Sequence, residues 1–132
     1  MRVAIYYPIH FFGIFLLFMS LGAMCVYCRN GGTKEDNPSR KFLAITHGVG
    51  LLLSIVGGMG LMKAYAYAQG GFPGWITFKL CVWLVFGMAT MLVYKMPKKA
   101  TLFFFIFCLL GFFAGLAAKF KSFEVYNSFL GM

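Results

Sequence analysis

A lysine set one turn inside an apolar run is the chemically most demanding feature of this chain. Lys79 lies in Gly74-Trp75-Ile76-Thr77-Phe78-Lys79-Leu80, which opens a run continuing to Tyr94. A cation at that depth in a bilayer needs a partner, a path for its stem to the headgroups, or a job. The best-placed partner is His10, near the start of the first apolar run, and Lys63, near the far end of the second, can join the same layer. A neutral imidazole beside an amine can hold a b-type haem. His10 would be the metal ligand, with Lys79 as second ligand or as counter-charge for a propionate, in a site built between facing helices. The competing reading is that Lys63 and Lys79 snorkel to the headgroups while His10 bonds a backbone or hydroxyl group. Acid–base catalysis by a carboxylate pair finds no support, because Glu35, Asp36 and Glu124 all lie outside the apolar runs.

The elements that must position these groups are helices. Apolar runs at 3–28, 42–68, 75–94 and 100–118 are each long enough for roughly 30 Å of hydrocarbon. Composition agrees: 61% of residues are hydrophobic and 11% charged, against about 25% charged in a soluble domain. The expected fold is an all-α integral membrane protein, an antiparallel bundle of four transmembrane helices forming one domain over 1–132. The helices are expected at about 3–28, 41–68, 75–94 and 100–118, with a polar loop 1 over 29–40 and an interfacial tail over 119–132. The first run is longer than a signal-peptide core and has a thin basic flank, so it reads as a retained helix.

Rise per residue converts position into depth. His10 falls roughly 10 Å, and Lys79 roughly 6 Å, below the same edge of the bilayer. His47 enters from the opposite edge, which leaves it roughly 15 Å from His10 in depth. The two histidines are therefore a poor pair of axial ligands for one haem. His47 can bond a serine or the interface, act as a second ligand, or relay protons.

The net charge of +9 would suggest nucleic acid in a soluble protein, but no polar face is left to carry it. Basic residues cluster instead at the ends of the apolar runs. Arg29, Lys34, Arg40 and Lys41 around loop 1, with Lys95, Lys98 and Lys99 in loop 3, outweigh Arg2, Lys63, Lys119 and Lys121 on the other side. The positive-inside rule then puts loops 1 and 3 in the cytoplasm and both termini outside, in a bacterial inner membrane.

Gly50, Ser54, Gly57 and Gly58 share one face of the second helix, and small residues so spaced let backbones approach closely. This face and the phenylalanine-rich fourth helix are the surfaces expected to pack, or to meet a larger membrane complex or a second copy. Cys25 and Cys28 form one C-x-x-C, most simply small apolar residues. With Met19, Met24, Met59 and Met62 they could also supply soft metal ligands.

The motifs resemble two groups of small bacterial membrane proteins, the HemJ-type protoporphyrinogen oxidases and the SirB-type proteins. His10 matches their early histidine, and Trp75-Ile76-Thr77-Phe78-Lys79-Leu80 resembles their Trp-Leu-x-x-Lys-Leu signature opening helix three. The segment from Thr46-His47-Gly48 to Ser54 and Gly57 is similar to the SirB-type second helix. The HemJ-type resemblance implies haem on His10 with Lys79 important to activity. Ala23-Met24-Cys25-Val26-Tyr27-Cys28 departs from the Pro-Arg run ending in histidine of those oxidases, which argues against that oxidase activity while leaving haem binding open. Three functions follow as expectations: a haem protein in a redox or porphyrin-related role, a non-catalytic accessory subunit, and a small metal-handling or transport protein.

Overall fold

The computed structural model describes residues 2–64 and 74–129, with side-chain surroundings for 4–63 and 74–118. Helix α1 spans Arg2–Arg29, α2 Arg40–Ala64, α3 Gly74–Lys95 and α4 Ala100–Phe129, with a single 3₁₀ turn, Pro97–Lys99, ahead of α4. No strand occurs among the described residues. Each of the four helices is long and apolar enough to cross a membrane.

The boundaries have local causes. At the end of α1 the N–H of Gly32 bonds the Tyr27 carbonyl and the N–H of Gly31 bonds that of Cys28. This is a Schellman motif, and it requires the left-handed backbone that Gly31 adopts at φ 88°. Loop 1 is then pinned by Asn37, which is buried. Its Oδ1 accepts from the Ser39 N–H at 2.9 Å, and its Nδ2 donates to the Tyr94 hydroxyl at 3.0 Å, tying the loop to the end of α3. The Ser39 carbonyl accepts the Leu43 N–H, the first bond of α2. Pro97 ends α3, since it cannot continue a helix.

One boundary differs from the sequence reading. The segment after Ala118, expected to be an interfacial tail, continues α4 to Phe129; no glycine or proline interrupts 119–129. The end of the second helix over 65–68, and the turn after it up to residue 73, lie outside the described residues.

Helices α1 and α2 form the closest pair. Tyr6 lies on Gly60, His10 on Gly57, Gly13 on Gly50 and Ser54, and Leu17 on Gly50, so numbers rise along one helix as they fall along the other. A β-carbon at Gly57 would sit 2.6 Å from the His10 backbone nitrogen, and one at Gly50 would sit 2.9 Å from the Gly13 carbonyl oxygen. Only glycine permits so close an approach, which maximises dispersion contacts between helices. The face of Gly50, Ser54, Gly57 and Gly58, expected to pack or to meet a partner, is covered within the chain by α1.

The core lies toward the loop 1 end, where Leu21, Met24, Cys25 and Cys28 of α1 meet Val82, Phe86, Ala89 and Val93 of α3. Helix α4 contributes Ala100 and Phe107. Phe86 packs edge-on against Phe18 at 5.3 Å and tilted against Phe107 at 5.7 Å. Among the described side chains, the other phenylalanines of α4 divide by face: Phe103 packs on the core, whereas Phe104, Phe105, Phe112 and Phe113 are exposed.

Candidate functional site

Two polar layers stand between the helices, one around each histidine. In the first, the His10 imidazole lies between α1 and α2, its Nδ1 donating to the Ser54 carbonyl oxygen at 2.7 Å. The ring edge made by Nδ1 and Cε1 lies against Gly58, where a β-carbon would come within 3.4 and 3.3 Å of those atoms. Glycine at 57 lets the His10 backbone approach α2, and glycine at 58 leaves room for the ring edge. A proton on Nδ1 fixes the tautomer and leaves the Nε2 lone pair as a ligand or acceptor, the usual way a protein orients a ligating histidine. Lys79, half-buried on α3, comes within Coulombic range of this ring. Lys63 is exposed in the last described turn of α2.

The second layer centres on His47, which is 4% exposed. Its Nε2 donates to the Phe86 carbonyl at 2.9 Å, and its Nδ1 faces the Ser20 hydroxyl at 3.4 Å. That hydroxyl also lies 3.0 Å from the Leu17 carbonyl. Its single proton is shared between two acceptors, and the imidazole joins α1, α2 and α3 at one level. Both ring nitrogens are engaged, so in this arrangement His47 ties three helices together. Ser20 and His10 are ten residues apart on α1, about 15 Å of rise, so the layers are separate.

Two groups not singled out from the sequence complete the network. Trp83 Nε1 donates to the Leu51 carbonyl at 3.1 Å, and the Ser54 hydroxyl donates to the same oxygen at 2.9 Å. Asn37 carries the loop-to-α3 bond described above. A tryptophan in an apolar run gives no sign of which carbonyl its N–H will find, so pattern alone could not have named Trp83. Every fully buried side-chain nitrogen and oxygen among the described residues has a partner. Among those residues no carboxylate takes part in either layer.

The soft-ligand candidates do not converge. Met24 is in the core, whereas Met19 and Met59 point outward at 72% and 56% exposure. Cys25 and Cys28 are buried free thiols, while Cys81 and Cys108 are exposed. Among the described residues no group of three or more His, Cys, Asp or Glu side chains is placed to hold a metal ion. A haem differs in that it brings four nitrogen ligands of its own and asks the protein for one or two.

Comparison with protein-family models, with curated proteins and with solved structures finds no match to this chain. The site has to be read from its own geometry.

Proposed function

We propose that this is a multi-pass protein of a bacterial inner membrane, an antiparallel four-helix bundle that binds b-type haem at His10 in a redox or porphyrin-related role. The observation that carries the reading is the bond from His10 Nδ1 to the Ser54 carbonyl with Lys79 close by. It presents an oriented imidazole with a ligand lone pair, next to a cation suited to a carboxylate-bearing macrocycle. His10 would hold the iron and Lys79 would serve as second ligand or propionate partner. The haem, when bound, supplies one-electron chemistry; the chain's own part is to fix the imidazole and to place a positive charge beside it. The antiparallel arrangement draws on the opposed numbering of the α1–α2 contacts and on the Asn37–Tyr94 bond, which puts loop 1 beside the start of loop 3. The lysines and arginines of those two loops favour their cytoplasmic placement.

Titration of the purified protein with haemin tests the reading. Saturable binding at one haem per chain is expected, with affinity lowered at least about tenfold in His10→Ala and unchanged in His47→Ala. Equal binding by wild type and His10→Ala would overturn it.

The exposed face of α4 favours a second reading, that of an accessory subunit. Leu102, Phe105, Leu109 and Phe112 project from it at 55–61% exposure. Such a face suits either acyl chains or a flat apolar partner in a complex or homo-oligomer. A stoichiometric partner that co-purifies with a colourless protein would favour that reading over the first.

A further inference from the structure

At the loop 1 end of the helices two cavities meet, sharing Arg29 and Thr101. The first, about 120 Å³, is an apolar crevice between α1 and α4. Its floor is Cys25 and Ala100, both covered, and its walls are the exposed Val26, Phe104 and Phe105. The second, about 270 Å³, opens beside it and is bordered by Arg29, Lys98 and Thr33, together with Gly31 and Gly32. Neither lining contains a carboxylate. Thr33 binds Asp36 through its hydroxyl at 3.0 Å, so two cations and one acid border the mouth.

We propose that these joined cavities bind an anionic phospholipid, its phosphate between Arg29 and Lys98 and one acyl chain in the crevice between α1 and α4. A cationic mouth that continues into an apolar crevice matches an amphiphile, whereas a free phosphate would use the mouth alone. The depth is right as well. Arg29 closes α1 and Lys98 lies in the turn that precedes α4, so the mouth stands at the ends of the apolar spans, where headgroups lie. The proposal rests on the membrane-spanning reading but not on the haem, because Arg29 is nineteen residues from His10 along α1, about 28 Å.

The test is native mass spectrometry of the full chain in a neutral detergent, titrated with phosphatidylglycerol, phosphatidylcholine or inorganic phosphate. Phosphatidylglycerol should stay bound where phosphatidylcholine does not. The double variant Arg29→Gln with Lys98→Gln should lose about thirtyfold in affinity, the effect of two surface cations. Arg40→Gln, outside both linings, should bind as wild type. Thr101→Trp should block the lipid by filling the shared wall. Arg29, Lys98 and Thr101 are all exposed, and a circular-dichroism melt confirms that each variant is folded. Equal retention of the two lipids, or an unaffected double variant, would overturn the proposal. So would phosphate competing fully while Thr101→Trp binds phosphatidylglycerol normally, since the crevice would then play no part.

Discussion

His10 and His47 are chemically identical and the fold gives them different work. His47 is enclosed, with one nitrogen on a carbonyl of α3 and the other on a hydroxyl of α1. His10 has one nitrogen tied to α2 and a cation within reach. Replacing His47 by alanine removes a buried ring and its bond to Phe86. A loss of about 2 kcal/mol is expected, from hydrogen bonds worth roughly 0.6 kcal/mol each in membranes plus the cavity left behind. Stability in a denaturing-detergent titration measures it, and a shift in His10→Ala as large as that in His47→Ala would contradict the difference in role. The sequence carried part of this. Depth arithmetic separated the histidines, because helical rise is regular. It could not assign the acceptors, since backbone carbonyls exist at every residue and only the fold selects Ser54 and Phe86.

At the level of elements, the α1–α2 seam is set by glycines whose missing β-carbons let backbones touch. Gly57→Ala places a methyl against the His10 backbone and should cost about 2 kcal/mol, as overpacking does. Gly48→Ala and Gly87→Ala meet nothing within 4 Å and should be neutral or stabilising by up to about 1 kcal/mol. Parallel unfolding of the three variants decides the matter, and equal effects would contradict the seam. The small-residue face was legible as a packing surface from its spacing. Its occupant was not, because a stripe on one helix says nothing of whether the partner is α1 or another chain. Loop 1 shows the same limit. Its polar composition marked a loop, but the bond of Asn37 to Tyr94 spans 57 residues and leaves no local trace. Asn37→Ala should release the loop, giving faster proteolytic cleavage between Gly31 and Arg40 with the helices intact.

For the whole molecule, charge and packing point the same way. Four helices, long and apolar enough to span a membrane, carry most of their cations toward the ends of the apolar spans, and among the described residues the inter-helix ties use carbonyls, hydroxyls, imidazoles and an indole with no acid among them. The four helices were legible because run length and composition alone favour helices long and apolar enough to cross a membrane. The reach of α4 to Phe129 was not, because a mixed polar and aromatic tail has the same composition whether it lies flat or extends a helix. Loops 1 and 3 should share one side of the membrane. Lys34→Cys and Lys98→Cys, probed with a membrane-impermeant maleimide, should both label from the cytoplasmic side only, above the background of the native thiols. Labelling from opposite sides would contradict the arrangement.

The most direct measurement is the absorption spectrum of the protein purified in mild detergent after expression with ample haem supply, first oxidised and then reduced with dithionite. A Soret band that sharpens on reduction, disappears in His10→Ala, weakens in Lys79→Ala and persists in His47→Ala is the predicted result. A colourless wild-type protein, or a band indifferent to His10→Ala, would contradict the haem site.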